Sequence, residues 1–262
     1  MTITSRLIDV AGGRNKVRVY EGGDGPPLFY LHGAGGLMRE DRVLAALSRH
    51  YRVHAPLLPG YEDSVGEERL RDMLDITLHG YDVMQALGLS KPLVVGHSMG
   101  GMIAAEMAAI APNEIERLAL IAPAGLWLPE HPIVDIFALL PQEFPHYLFH
   151  DVEAGVKLMT PGGDMNDVKF LAEFMIANAR RLGTAGKMLF PIPERGLSER
   201  LYRIKARTLI VWGENDRLIP PLYAQAFVKG IAGARLTTIP QAGHLVGHEK
   251  PDALVEALRT LN

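Results

Sequence analysis

Alternating and continuous apolar positions in the first 60 residues predict short β-strands separated by turns. Residues 3–10 and 16–20 alternate between polar and apolar side chains, and each stretch is followed by turn-forming residues, AGGRN and EGGDGPP. Residues 27–31 and 51–55 are nearly continuous apolar runs, which are typical of strands buried on both faces of a sheet. This part of the chain is therefore predicted to contribute four strands.

Further along, segments with helical spacing alternate with short apolar runs. Residues 39–49 and 67–87 show helical spacing, and Gly88, a residue type that commonly ends helices, follows the second of them. Strand and helix then follow each other in turn, which predicts a parallel sheet covered by helices on both faces. The later strands are predicted at residues 93–95, 117–121, 208–212 and 235–239, and the helices at residues 99–110, 221–230 and 251–261.

Residues 125–200 interrupt this alternation. The segment is helical in pattern, is broken by several prolines and contains six of the eight phenylalanines of the chain. An insert of this length between two sheet strands is more typical of a lid than of a loop. We therefore predict a helical cap over residues 125–200 and a core domain formed by residues 1–124 and 201–262. The apolar side chains of the cap either form its own core or, in part, face a ligand.

Composition narrows the classes of function. Of the 262 residues, 48% are hydrophobic and 22% are charged, and the net charge is −3, so neither disorder nor nucleic-acid binding is expected. The chain has no cysteine, which excludes disulfides and a cysteine nucleophile. Its sequence lacks the apolar run of a membrane span and the pattern of a signal peptide. We expect a cytoplasmic protein with a small-molecule partner, and the sequence leaves a monomer or a homodimer open.

The strongest chemical signal lies at residues 96–100, which read Gly-His-Ser-Met-Gly. The pattern G-x-S-x-G stands between a predicted strand and a predicted helix, where a sharp turn lifts the serine hydroxyl clear of the sheet. Glycines on both sides allow the close packing that such a turn requires. The hydroxyl also lies at the positive end of the helix dipole. Ser98 is therefore the predicted nucleophile.

A nucleophilic serine needs donors for the oxyanion that develops during the reaction. Residues 31–36, Leu-His-Gly-Ala-Gly-Gly, follow the third predicted strand and can bring backbone N–H groups close to a ligand. We predict that the backbone N–H groups of Ala34 and Met99 form the oxyanion hole. Gly33 and Gly35 are predicted to line the substrate pocket, and His32 to order the loop.

The predicted base and its acidic partner both follow strands near the end of the chain. His244 comes just after the last strand, at the sheet edge where ligands bind in such folds. Asp216 follows the strand before it, and Glu214 is the rival carboxylate. The chain order Ser98, Asp216, His244 is one of the orders known for serine hydrolases.

We expect no metal and no organic cofactor. His248 lies four residues after His244, but a two-histidine metal site would need a third ligand, and no motif such as HExxH is present. The glycines at residues 33–36 do not match the spacing of a dinucleotide fingerprint.

The whole chain resembles the α/β-hydrolase family. The resemblance rests on LHGAGG at 31–36, LPGYEDS at 58–64, VVGHSMGG at 94–101, LIVWGENDRLIP at 209–220 and AGHLVGHEKP at 242–251. It implies an eight-stranded, mostly parallel sheet whose second strand alone is antiparallel, with a cap inserted after the sixth strand. It also implies Ser98 as nucleophile, His244 as general base and Asp216 as its partner. Dehalogenases and epoxide hydrolases of the family carry Asp at the position of Ser98, so those activities are not expected.

Three functions remain open. The first is hydrolysis of a small, largely apolar carboxylic ester through an acyl-serine. The second is carbon–carbon bond hydrolysis of aromatic meta-cleavage products, because residues 174–207 resemble the hydrolases that act on them. In that case Arg180 or Arg181 would bind the substrate carboxylate. Those hydrolases usually carry Trp directly after the base, where this chain has Leu245. The third is ligand binding by a receptor-like homologue. The remaining residues predicted to line the pocket are His97, Trp127, Leu218 and Leu245.

Overall fold

An eight-stranded β-sheet forms the centre of the computed structural model, which describes residues 2–38, 40–160, 162–164 and 166–261. The strands are β1 (Thr4–Val10), β2 (Asn15–Gly22), β3 (Pro27–Leu31), β4 (Arg52–Pro56), β5 (Leu93–His97), β6 (Arg117–Ile121), β7 (Arg207–Gly213) and β8 (Arg235–Ile239). They lie in the order β1-β2-β4-β3-β5-β6-β7-β8. Strand β2 is antiparallel to β1 and β4, and the other neighbouring pairs are parallel. The predicted eight-stranded, mostly parallel sheet is confirmed.

Helices cover both faces of this sheet. They are α1 (Arg42–Leu47), α2 (Met73–Ala86), α3 (Met99–Ile110), α4 (Phe144–Leu148), α5 (Val152–Met159), α6 (Val168–Leu189), α7 (Tyr223–Gly230), α8 (Val246–Glu249) and α9 (Pro251–Arg259). Alternate residues of β3 face opposite layers, as the period of two along a strand requires. Phe29 and Leu31 pack in the cluster that includes α2, α3 and α7, whereas Leu28 and Tyr30 pack in the cluster that includes α1 and α9.

The helix predicted over residues 67–87 is shorter in the structure. A 3-10 turn occupies Glu67–Arg69, and α2 begins only after Asp72, whose carboxylate accepts a hydrogen bond from the N–H of Asp75. This capping interaction starts a new helix and separates it from the preceding turn. The helix predicted over residues 39–49 is α1, and residue 39 lies outside the described residues.

Helices α4, α5 and α6 all lie between β6 and β7, in the segment predicted to form a cap. Helix α6 reaches the loops at the carboxyl end of the sheet. The guanidinium of Arg180 forms an ion pair with Glu67 at 2.7 Å, and that of Arg181 donates to the carbonyl of Gly35 at 3.3 Å. Near the carboxyl end of α6, Ala185 and Met188 are buried in the main core. The division into a core domain and a cap remains a prediction.

None of the helices that the structure describes has an apolar stretch long enough to cross a bilayer.

Candidate active site

Ser98 occupies a strained turn between β5 and α3. Its φ of 54° and ψ of −116° lie outside the regions that residues other than glycine usually adopt. The turn fits because the neighbouring backbones pack without side chains: a Cβ on Gly96 would overlap the backbone of Gly100, and a Cβ on Gly100 would overlap that of Leu31. Ser98 is buried, with 8% of its surface exposed. This is the conformation that the G-x-S-x-G pattern predicts.

The structure brings His244 and Asp216 into direct contact. Their Nδ1 and Oδ2 atoms are 2.8 Å apart, and the residues are 2% and 5% exposed. The other oxygen of Asp216, Oδ1, accepts hydrogen bonds from the N–H groups of Leu218 and Ile219, both at 2.9 Å. Because an ionised carboxylate only accepts, the proton of the neutral imidazole lies on Nδ1. The Nε2 atom of His244 then carries a free lone pair, and it is buried with no hydrogen-bond partner among the described residues.

His97 connects the serine turn to the histidine loop. Its Nε2 lies 3.0 Å from the carbonyl oxygen of His244, and because a carbonyl only accepts, His97 donates. The two rings lie 5.0 Å apart between centroids. Burial lowers the pKa of His97 well below its usual value, and the neighbouring His244 acts in the same direction, so this imidazole stays neutral. His97 thus holds the backbone of the loop that carries the candidate base.

The glycine-rich loop after β3 lies beside the serine. A Cβ on Gly33 would lie 3.0 Å from Nδ1 of His97 and 3.3 Å from the Cβ of Ser98, so a larger residue would crowd both side chains. The phenol of Tyr61 donates a hydrogen bond to the carbonyl of Ala34 at 2.9 Å, which fixes the middle of the loop. Met99 is the first residue of α3, and its N–H therefore has no acceptor in a preceding helical turn.

His32 stabilises this loop through two hydrogen bonds. Its Nδ1 donates to the carbonyl of Gly33 at 2.7 Å, and its Nε2 accepts from the N–H of Leu58 at 3.1 Å. Burial lowers the pKa of His32 to about 4, so the imidazole is neutral and both bonds persist at neutral pH. The sequence predicted this role for His32 from its position in the glycine-rich loop. It gave no signal for Tyr61, which reaches the loop from the segment after β4.

The other residues predicted to line the pocket lie at different depths. Leu218 is buried and is bound through its N–H to Asp216. Leu245 borders a small void of about 10 Å³ that His97 also lines. Trp127 is half-buried beyond β6, and no hydrogen bond or ring contact connects it to another described residue. Their role as pocket residues remains a prediction.

The two arginines considered as carboxylate ligands differ in their surroundings. Arg180 is neutralised by Glu67 at 2.7 Å. Arg181 donates to Asn178 and to the carbonyl of Gly35, and it forms no ion pair with a carboxylate among the described residues. Burial lowers the pKa of Arg181 from its usual value. Only Arg181 therefore keeps its charge available for a ligand beside the glycine-rich loop.

Residues 28–257 match the sequence profile of the Alpha/beta hydrolase family. The chain belongs to this family. The serine turn and the paired His244 and Asp216 lie within the matched region.

Named relatives of this α/β hydrolase include enzymes of two kinds. A 2-hydroxy-6-oxo-6-phenylhexa-2,4-dienoate hydrolase of Comamonas testosteroni is 28% identical over 256 residues, which cover 88% of this chain and 86% of the relative. A pimeloyl-[acyl-carrier protein] methyl ester esterase of Pectobacterium carotovorum is 26% identical over 246 residues, with coverage of 90% and 94%. These similarities support a hydrolase.

Solved structures show the same fold. A meta-cleavage product hydrolase from Pseudomonas fluorescens superimposes with a TM-score of 0.77 at 20% identity, over 98% of both chains.

Within the described parts of the chain, no three His, Asp or Glu side chains are grouped closely enough to hold a metal ion. The expectation that the reaction needs no metal remains a prediction.

Proposed function

We propose that this α/β hydrolase cleaves a small, largely apolar carboxylic ester through an acyl-serine intermediate. The observation that carries the proposal is the pairing of His244 Nδ1 with Asp216 at 2.8 Å while Nε2 remains without a partner. Nε2 of His244 forms no hydrogen bond with Ser98 in the structure, and we propose that it removes the serine proton once the hydroxyl attacks a bound ester carbonyl. Asp216 stabilises the imidazolium that forms.

The remaining steps use the loop around the serine. The N–H groups of Ala34 and Met99 stabilise the oxyanion of the tetrahedral intermediate. His244 then gives its proton to the leaving alcohol, and the acyl group remains on Ser98. A water molecule, activated by His244, attacks the acyl group and releases a carboxylic acid. The similarity to a named methyl ester esterase supports ester cleavage.

A screen of p-nitrophenyl esters with increasing acyl length tests the proposal. We expect repeated turnover by the native protein and a fall of about 10⁶-fold in kcat for Ser98→Ala. Ser90→Ala, which changes an exposed serine before β5, serves as the matched control and should keep full activity. If Ser98→Ala kept a tenth of the native rate, the proposal would be wrong. If the native protein bound esters but released no alcohol, the receptor-like alternative would be favoured.

One observation favours carbon–carbon bond hydrolysis as a second candidate. Arg181 has a free charge beside the glycine-rich loop and would pair with a substrate carboxylate. A named relative at 28% identity acts on 2-hydroxy-6-oxo-6-phenylhexa-2,4-dienoate. Turnover of that acid exceeding turnover of all p-nitrophenyl esters, with Arg181→Gln raising KM for the acid alone, would favour this candidate. Its main difficulty is Leu245, which stands where such enzymes usually carry Trp.

A further inference from the structure

A cavity lies outside the candidate active site, between α1, α5 and α8. Its volume is about 670 Å³, and Ser98, Asp216 and His244 are not among the residues that line it. Gln241, just before the loop residues Gly243 and His244, also lines the cavity.

Three cationic side chains line this cavity: Arg42, Lys157 and Lys250. None of them forms an ion pair or a side-chain hydrogen bond with another described residue. The two carboxylates of the cavity are already engaged with backbone groups. Glu249 accepts from the N–H groups of Gly243, His150 and Asp151, at 2.6 to 3.2 Å, and Asp151 caps α5 through the N–H of Ala154. With three cations and two carboxylates in its lining, the cavity has a small net positive charge.

Two imidazoles in the same lining have unused nitrogens. The Nδ1 atoms of His150 and His248 are both buried and have no hydrogen-bond partner among the described residues. His248 is 8% exposed, and its Nε2 lies 3.8 Å from the carboxylate of Asp41, which is too far for a hydrogen bond. Because neither Nδ1 atom has accessible surface, the two imidazoles border the cavity through their other atoms and offer it no hydrogen bond through Nδ1.

The rest of the lining is apolar. Phe149, Ala154 and Leu158 border the cavity beside the charged groups. A lining that combines cationic and apolar side chains fits a ligand with a charged group and an apolar group. We propose that the cavity binds a small organic carboxylate, whose charged group contacts Arg42 and Lys157 while its apolar group packs on Phe149 and Leu158.

Calorimetric titration with sodium benzoate tests this site directly. Benzoate should bind the native protein, and benzamide, which has the same shape without the charge, should bind at least about tenfold more weakly. Arg42→Gln and Lys157→Gln should each weaken benzoate binding by about tenfold, since each removes one charge-assisted contact. Both residues are exposed at their helices, so the substitutions should leave the fold intact, which far-UV circular dichroism checks.

Two control variants separate this site from other binding. Lys229→Gln removes an exposed lysine on α7 and should leave benzoate affinity unchanged. Arg181→Gln removes the cation that could bind a carboxylate near Ser98, and in that variant Arg42→Gln should still weaken benzoate binding by about tenfold. The proposal fails if benzoate gives no binding heat, if Arg42→Gln and Lys157→Gln bind like the native protein, or if Arg181→Gln alone abolishes binding. Since the titration measures no turnover, its outcome does not depend on the proposed ester hydrolysis.

Discussion

At the scale of single residues, the two oxygens of Asp216 have separate partners. Oδ1 binds the backbone N–H groups of Leu218 and Ile219, and Oδ2 binds His244. The backbone bonds hold the carboxylate in one orientation, so Oδ2 points at the imidazole. A side chain with one oxygen and one amide nitrogen would keep the backbone bonds but present N–H to Nδ1.

Asp216→Asn is therefore expected to lower kcat by about 10⁴-fold, because His244 would take the tautomer that cannot accept the serine proton. KM should change little, since Asp216 is buried behind the imidazole. Steady-state kinetics with a p-nitrophenyl ester provides the measurement. Glu214→Gln is the control and should be close to native. If Glu214→Gln lowered kcat strongly and Asp216→Asn did not, Glu214 would be the acidic partner of His244.

His97 is expected to act as a positioning residue through its hydrogen bond to the His244 carbonyl. His97→Phe removes the donor and leaves a buried carbonyl without a partner, so kcat should fall about tenfold with little change in KM. His97→Gln places an amide N–H near the same position and should restore most of the rate. If Phe and Gln lowered kcat equally, or if the loss were in KM, the bond would have no part in positioning the base.

At the scale of elements, every residue proposed for catalysis follows a strand of the parallel sheet. Ser98 follows β5, Asp216 follows β7 and His244 follows β8, and their neighbours in the sheet bring these ends to one edge. This arrangement could be predicted because each residue lies close in sequence to a strong strand pattern. Tyr61 and Arg181 could not be placed in the same way, since their contacts with Ala34 and Gly35 depend on how distant segments pack.

Element boundaries were predicted less well than element types. The strands at residues 27–31, 117–121 and 235–239 have the predicted bounds, because apolar runs end there at clear turn residues. The predicted start of the helix over residues 67–87 was wrong, because hydrophobic periodicity does not show that Asp72 caps a new helix. Hydrophobic spacing identifies a helix, and side-chain hydrogen bonds decide where it begins.

One ion pair connects α3 to the segment before β7. The carboxylate of Glu106, on α3, is 1% exposed and binds two nitrogens of the Arg200 guanidinium, at 2.9 and 2.5 Å. Arg200→Met should lower the free energy of unfolding by about 3 kcal/mol, because it leaves a buried carboxylate without its partner. Urea unfolding provides the measurement. Lys91→Met, which breaks the exposed pair with Glu116, should lower the free energy of unfolding far less, because solvent screens that pair. Equal losses in the two variants would contradict this account.

At the scale of the whole molecule, several histidines are buried in the neutral form. Burial lowers the pKa of both His32 and His79 to about 4. Nδ1 of His79 lies 3.2 Å from the amide nitrogen of Asn15, which donates to it while the imidazole is neutral. An unfolded histidine titrates near pH ~6.5, so between about pH 6.5 and 4 the unfolded chain binds more protons than the folded one. The stability that these groups contribute is therefore complete above that range and is lost as the pH falls through it.

We expect the free energy of unfolding to fall on acidification from about pH 7 to pH 5, by about 2 kcal/mol for each such histidine. Urea titrations at the two pH values measure the fall. His79→Gln should reduce this fall in the free energy of unfolding by about the contribution of one histidine. His50→Gln changes an exposed side chain and should leave the fall unchanged. If stability were constant over this range, His32 and His79 would not be held neutral by the fold.

The most direct test of the account is the identity of the residue that attacks a substrate. A fluorophosphonate ester reacts irreversibly with a serine that a neighbouring base activates, and peptide mapping by mass spectrometry locates the adduct. We predict one adduct per molecule of the native protein, on Ser98, no adduct in Ser98→Ala, and slower labelling in Asp216→Asn. An adduct on a different residue, or a folded native protein that does not react, would contradict the assignment of Ser98 as the nucleophile.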